Sequence, residues 1–322
     1  MTKAILKTLF FIAFLLLLPS NAKAFDLWLE NIPLNKLEAL YKDVNYAGYP
    51  KDHLLLDDRK YPRIFLKNFP LGFEKITDEN KRNNLFLKIL IPLALKLNED
   101  ILTERNKLLK LQETYDENNN FSQKDIKYIE KLAAEYDVFT TIKSEIRHIF
   151  LLNELLNRVD RIPPSIIVTA AAIETNWGSS RIVKEGNSLY KILEWHTTEG
   201  LKPIGETEDD TYRIKVYPDL YSSIKDYALK VNSAPSFEKL RNFRREFREL
   251  NRNLVGQLLA PYTFGSSNLH NYPGIFDYTL AYYELLEIDK SSLTDKIIPD
   301  KIVKKYQSYQ LKKQKPEKNG KK

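Results

Sequence analysis

The sequence of 322 residues contains no cysteine and only four histidines. Without cysteine, the chain has no disulfide scaffold, thiolate zinc site, iron–sulfur cluster or cysteine nucleophile. The histidines form no H-E-x-x-H motif and are scattered at His53, His148, His196 and His270, so we expect no metal site. The sequence also lacks phosphate-binding glycine loops and a G-x-S-x-G motif. We therefore expect function to rest on carboxylate, hydroxyl, histidine or aromatic side chains, without a cofactor.

The hydrophobic run at the start of the chain is too short to cross a bilayer comfortably. Lys3 and Lys7 precede the apolar stretch Leu9–Leu18, and Ala22-Lys23-Ala24 follows it. A charged start, a short apolar stretch and an A-x-A site are typical of a secretory signal peptide. We expect residues 1–24 to be removed, leaving a periplasmic or secreted protein without a transmembrane anchor. A membrane anchor or a buried helix is the alternative.

Excess positive charge is missing from the body of the chain, although the net charge is +7. Residues 25–300 hold slightly more acidic than basic residues, whereas Lys301–Lys322 hold nine lysines and one glutamate. A nucleic-acid-binding fold would need a basic face, so we expect no nucleic-acid partner. We predict that residues 291–322 form a basic, disordered tail, which either keeps the chain soluble or contacts an anionic envelope surface.

Apolar residues make up 43% of the chain, which predicts a folded protein with a substantial core. Helical spacing predicts a mainly α fold, with helices over residues 81–114, after Ser122, over 141–157, from Pro164 to near Gly178, and over 220–231 and 276–286. Pro92 is expected to kink or divide the first helix. Alternation at Tyr212, Ile214 and Val216 predicts a small β-hairpin.

Glu174 interrupts the most apolar of the predicted helices. It follows Ala171 by three positions and Ile167 by seven, so its neighbours on the helix are apolar. Loss of water raises the pKa of a carboxyl group, and glycoside cleavage needs a carboxylic acid that is still protonated near neutral pH. Trp177 lies where its ring could shield this carboxyl or stack on a sugar. A structural glutamate, paired with an arginine or with backbone donors, is the alternative.

Several short blocks occur in the order found in a known family. They are residues 171–181 (AAIETNWGSSR), 187–190 (NSLY), 217–227 (YPDLYSSIKDY), 235–237 (PSF) with 240–241 (LR), and, upstream, 61–66 (YPRIFL) and the region 85–101. Together they resemble the bacterial glucosaminidase-domain family, glycoside hydrolase family 73, and in particular its Bax-type branch of exported proteins. The resemblance covers roughly residues 60–290.

This resemblance implies a lysozyme-like domain with a small β lobe at residues 122–290, preceded by an N-terminal helical region at 25–121. It implies hydrolysis of peptidoglycan between N-acetylglucosamine and N-acetylmuramic acid, with Glu174 as the general acid. Glu206 or Glu208 in the β lobe, or the acetamido group of the substrate, would act on the opposite side of the sugar. The implied substrate-binding residues are Asn187, Trp177, Tyr190, Trp195, Tyr262 and Tyr272.

Alternatives remain at several of these positions. Core packing is the alternative role for each aromatic residue, and it is favoured for Tyr190; Tyr278 could replace Tyr272 as the later family tyrosine. Lys191 stands where the family usually has glycine, and Ser188 replaces a second asparagine. A lysine there could crowd the cleft or lower the pKa of a nearby carboxyl. A lytic transglycosylase or a non-catalytic peptidoglycan-binding or scaffold protein is the alternative function.

Overall fold

The computed structural model describes residues 25–46, 59–144, 146–205, 212–249 and 272–310. Helices dominate them, as predicted, and the helices are α1 (Leu34–Asp43), α2 (Glu79–Asn118), α3 (Gln123–Glu135), α4 (Arg147–Arg158), α5 (Pro164–Thr175), α6 (Arg181–Gly186), α7 (Leu220–Ser233), α8 (Glu238–Glu249), α9 (Tyr272–Tyr282) and α10 (Asp300–Lys305). The short strands are β1 (Leu27–Leu29), β2 (Lys60–Tyr61), β3 (Ile64–Leu66), β4 (Leu193–Trp195), β5 (Tyr212–Ile214) and β6 (Ser292–Leu293).

The long helix α2 begins where Asp78 accepts a hydrogen bond from the backbone of Lys81, and it is not divided at Pro92. Proline lacks the N–H that would bond to the carbonyl of Lys88, one turn earlier. The Tyr46 hydroxyl donates to that carbonyl at 3.2 Å. Because a side chain from outside the helix replaces the missing donor, the helix continues through Pro92.

Helix α3 begins at a Ser122 cap, as predicted, whereas α4 begins later than the predicted residue 141. The Arg147 side chain donates to the carbonyls of Thr140 and Ile142, and the Thr140 hydroxyl accepts from the Ile142 backbone. These local bonds compete with helix formation. Ile146, which the predicted helix would bury, is 57% exposed.

Helix α5 lies in the centre of the molecule and packs against α2 and α9. Pro164 stands in its first turn, where a missing N–H is tolerated. Asp289 accepts hydrogen bonds from the Ser165 backbone and hydroxyl at 2.9 and 2.8 Å. The Asp289 carboxylate therefore caps the N-terminal end of α5. Glu174 lies at the C-terminal end of the same helix.

The predicted hairpin is present as the antiparallel pair β4–β5, with Trp195 opposite Tyr212 and Leu193 opposite Ile214. The strand ends at Ile214, so the predicted alternation does not continue. Beyond the strand, Val216 is 42% exposed, whereas Ile214 is buried, so the two side chains do not share one buried face.

Two parallel strand pairs bring distant parts of the chain together: β1 with β3, and β2 with β6. The predicted N-terminal helical region 25–121 is therefore helical only in part, since β1, β2 and β3 lie within it. A hydrophobic core is continuous from these strands through α2 to α5 and α9.

The prediction of a disordered tail over residues 291–322 is wrong for its described part. Residues 291–310 contain β6 and α10, and they bury the apolar side chains of Leu293, Ile298, Ile302 and Tyr306. Lys305 and Tyr306 both donate to Asp43 of α1, at 2.7 and 2.9 Å. The prediction considered only the number of lysines. The apolar side chains between them are what hold this segment on the fold. Residues 311–322, like residues 1–24, lie outside the described part.

Candidate active site

Glu174 lies in the last turn of α5 and is partly exposed, although the preceding turns of this helix are buried. Burial raises the pKa of its carboxyl above the ordinary value of 4.5, while the positive charge of Lys191 and a hydrogen bond from Tyr272 act in the opposite direction. The net result is a carboxyl that holds its proton more tightly than one in water. No arginine or lysine forms an ion pair with Glu174 among the residues described.

Buried tyrosine residues lie close to this carboxyl. Tyr272, the first residue of α9, donates its hydroxyl to Glu174 and is itself buried. Tyr190 stacks on Tyr227 of α7 with ring centroids 4.0 Å apart and planes 9° apart, and its hydroxyl donates to the Ile167 carbonyl at 3.2 Å. Tyr190 is 7% exposed, so its ring packs within the fold, and its predicted contact with sugar stays a prediction.

Trp177 follows α5 in an unusual backbone conformation. Its φ is 56°, after Asn176 at 46° and before Gly178 at 75°; a positive φ is rare for a bulky residue and is often found at functional sites. The backbone N–H of Trp177 donates to the Ala172 carbonyl at 2.8 Å, and this bond holds the turn. The indole ring is half-buried and packs edge-on against Phe86.

The loop that follows α6 is held by its polar residues. Asn187 ends α6 with a φ of 48°, and its side-chain amide donates to the Tyr217 carbonyl at 3.2 Å. The next residue, Ser188, is fully buried. The structure therefore shows Asn187 supporting the loop that carries Tyr190 and Lys191.

Trp195 of the hairpin is 61% exposed. Its ring packs against the ring of Tyr212, with the ring centroids 4.8 Å apart. Lys215 joins the hairpin to α7 by ion pairs with Glu194 at 3.2 Å and Asp226 at 3.1 Å. Burial disfavours the charge of Lys215, but these pairs outweigh it and raise its pKa. The alternation at residues 212–216 spans Lys215 but gives no sign that its side chain meets Glu194 and Asp226.

Three predicted site residues, Glu206, Glu208 and Tyr262, lie outside the described residues, and their roles stay predictions. In the part of the chain that the structure covers, no group of three or more histidine or acidic side chains could hold a metal ion. The helices of this part include none that is long and apolar enough to cross a membrane.

Comparisons with known proteins identify the family of this chain. Residues 150–311, half of the chain, match the glucosaminidase family, described as mannosyl-glycoprotein endo-beta-N-acetylglucosaminidase. Protein Bax of Escherichia coli strain K12 is 26% identical over 224 residues, which are 66% of this chain and 76% of Bax. The catalytic domain of the autolysin Auto from Listeria monocytogenes aligns with 55% of this chain and 97% of its own length, at 16% identity and a TM-score of 0.30. The chain therefore belongs to the glucosaminidase family and is a glycoside hydrolase.

Proposed function

We propose that this chain is an exported peptidoglycan hydrolase that cleaves the β-1,4 bond between N-acetylglucosamine and N-acetylmuramic acid, with Glu174 as the general acid. The main support is the environment of Glu174: a partly exposed carboxyl at the end of a buried helix, with its pKa raised by burial. Family membership supports the reaction class.

The environment of Glu174 fits a proton donor that must also be stable after donation. Burial favours the protonated carboxylic acid, which would protonate the departing glycosidic oxygen as the sugar gains oxocarbenium character. Tyr272 and Lys191 favour the carboxylate that then remains. On the opposite face, Glu206, Glu208 or the acetamido group of the substrate would complete the reaction.

Export is supported by the start of the sequence, where two lysines, a short apolar stretch and Ala22-Lys23-Ala24 match a cleavable signal. Cleavage after Ala24 would release a periplasmic or secreted protein without an anchor. The lysines of residues 311–322 would then contact an anionic envelope surface.

The test is digestion of purified sacculi by the wild type and by Glu174→Gln, with mass spectrometry of the released fragments. We expect the wild type to release products with reducing-end N-acetylglucosamine, and Glu174→Gln to release at least about a hundredfold less. Glu185→Gln is the matched control, because Glu185 is exposed and pairs with Arg181; it should retain full activity.

Three other results would contradict the proposal. Anhydromuramic ends would identify a lytic transglycosylase, and binding of sacculi without product from either protein would identify a non-catalytic binding protein. Equal release by the wild type and Glu174→Gln would remove Glu174 from the mechanism.

A further inference from the structure

A row of aromatic rings leads away from Trp177 across the surface of α9. The rings of Trp177 and Tyr283 are 4.4 Å apart, those of Tyr283 and Tyr282 are 4.9 Å apart, and those of Tyr282 and Tyr278 are 5.5 Å apart. The last pair is stacked, with 21° between the ring planes. Because Tyr278 and Tyr282 are four residues apart on α9, their rings lie on one face of the helix.

The inner end of this row is fixed to the fold. The Asn83 amide of α2 donates to the Tyr283 hydroxyl at 2.7 Å. Trp177 is held by its left-handed backbone and by the edge of Phe86. In Gly178, an added Cβ would lie within 3.2 Å of Phe69, Phe73 and Phe86, so the turn beside Trp177 has little freedom to move. Rings held in this way can bind a ligand with little loss of conformational entropy.

The outer end is open to solvent. Tyr278 is 63% exposed and Tyr282 is 61% exposed, although neighbouring residues of the same helix, such as Phe276 and Leu280, are buried. Exposed, adjacent apolar rings on a folded protein commonly mark a binding surface. Tyrosine supplies an apolar ring face and a hydroxyl that can hydrogen-bond, the combination that matches a sugar ring with its C–H face and its hydroxyl and amide groups.

Helix α9 connects this surface to the candidate active site at both ends. Its first residue, Tyr272, donates to Glu174, and the residue after its last turn, Tyr283, contacts Trp177, three positions beyond Glu174. A linear polymer whose scissile bond lies at Glu174 must leave the site along one of its walls. The aromatic row lies on the exposed side of α9, the helix that contacts Glu174 through Tyr272 and is followed by the Trp177 contact of Tyr283.

We propose that Tyr278 and Tyr282 form an outer binding platform for the glycan strand, which stacks sugar units distant from the bond that is cleaved. This inference rests on the proposed function for the identity of the ligand, a β-1,4-linked chain of N-acetylated sugars. The platform favours long strands over short fragments and does not take part in proton transfer.

The test measures binding without turnover. Every variant is made in the Glu174→Gln background, and its affinity for purified sacculi is determined by sedimentation. We expect Tyr278→Ala/Tyr282→Ala to bind about tenfold more weakly, and Tyr278→Phe/Tyr282→Phe to retain most of the affinity because the ring faces remain. Phe139→Ala is the control, since Phe139 is 78% exposed and is aromatic; it should bind normally.

The alanine substitutions are at exposed positions and should leave the thermal unfolding curve unchanged. If the double alanine variant does not fold, the phenylalanine pair and the single Tyr278→Ala variant provide the same comparison. Unchanged affinity for sacculi in the alanine variants would overturn the platform. A dimer that dissociates on the same substitutions, seen by light scattering, would identify the face as an interface between copies and would also overturn the platform.

Failure of the platform and failure of the proposed function give different results. If Glu174→Gln hydrolyses sacculi normally, the catalytic assignment is wrong, while a loss of affinity in the tyrosine variants would still show the glycan platform. If Glu174→Gln is inactive and the tyrosine variants bind normally, the catalytic assignment stands and the platform is wrong.

Discussion

Glu174 is under opposing influences, and their balance determines its chemistry. Burial favours the protonated form, whereas the positive charge of Lys191 and the Tyr272 hydroxyl favour the ionised form. The net shift is upward, which suits a general acid. Lys191, which replaces a glycine usual in the family that the sequence resembles, is therefore expected to tune catalysis.

Replacing Lys191 by methionine removes its charge and keeps a similar apolar length. The pKa of Glu174 should then rise, because a cation that favoured the carboxylate is gone. We expect the basic limb of the kcat/KM profile, which follows the acid of the free enzyme, to move to higher pH. Lys191→Arg keeps the charge and should keep the profile; a limb that stays in place or moves down in Lys191→Met would refute this role.

Glu174 should also make the folded protein less stable at neutral pH. Its folded pKa lies above the ordinary value of 4.5, so the unfolded chain loses its proton first as the pH rises. The associated stability is fully present below pH 4.5 and is lost as the pH passes through the folded pKa. We expect Glu174→Gln to melt at a higher temperature than the wild type at pH 7, with the difference vanishing in acid.

Differential scanning calorimetry across this pH range measures the effect. Glu185→Gln, at an exposed position, serves as the control and should show no such pH-dependent gain. A Glu174→Gln variant that is less stable than the wild type at neutral pH would show that the carboxylate, and not the acid, suits the folded site.

The sequence predicts Glu174 because the apolar residues around it follow the helical period. It does not predict which residues complete the site. Tyr272 and Tyr227 are distant from Glu174 in the sequence, and their contacts depend on how α7 and α9 pack on α5. The sequence also does not show that the Tyr190 ring is buried against Tyr227, because that contact depends on how distant segments pack.

At the scale of helices and strands, local patterns predict most elements and fail where a distant group intervenes. The Tyr46 hydroxyl satisfies the carbonyl that Pro92 leaves free, so α2 is not divided. Arg147 and Thr140 bond to the backbone before α4 and delay its start. Neither interaction can be predicted from the spacing of apolar residues alone.

Arg244 of α8 joins three segments of the fold. It is fully buried and donates to the carbonyls of Asn157, Arg158, Asp160 and Arg161, and to the Asn232 side chain. Burial lowers its pKa to about 10, partly opposed by the negative charge of Asp160. These bonds satisfy carbonyls at and beyond the end of α4 that have no helical partner.

Arg244→Met should therefore destabilise the protein by about 3–5 kcal/mol, because it leaves several buried carbonyl acceptors without this donor and removes a cation 3.8 Å from the Asp160 carboxylate. Urea unfolding followed by circular dichroism measures the change. Arg245→Met provides the comparison, since the Arg245 side chain is 47% exposed, and it should change stability by less than about 0.5 kcal/mol. Similar costs for the two substitutions would contradict the role of Arg244.

At the scale of the whole molecule, the two ends of the described chain are joined. Strand β6 pairs with β2, and Leu293, Ile298, Ile302 and Tyr306 pack into the common core. Composition alone suggested a disordered tail, because lysines dominate this segment. A few widely spaced apolar side chains decide whether this segment is ordered. Their burial depends on the strands against which they pack.

Removal of residues 291–322 should prevent cooperative folding. Each large apolar side chain contributes about 1.5–3 kcal/mol when buried, and four such losses approach the whole stability of a typical domain, about 5–15 kcal/mol. Removal of residues 311–322 alone keeps all four of these side chains, so we expect the cooperative transition to remain. Comparison of both truncated proteins by thermal unfolding tests this, and a stable, cooperative protein ending at Lys290 would contradict it.

The central claim is that the Glu174 carboxyl holds its proton more tightly in the folded protein than in water. Carbon-13 NMR of protein labelled at glutamate side-chain carboxyls measures this directly, with the Glu174 signal identified by its absence from Glu174→Gln. We expect the titration midpoint of that signal to lie above 4.5 and to rise further in Lys191→Met. A midpoint at or below 4.5 would contradict the role of Glu174 as the proton donor.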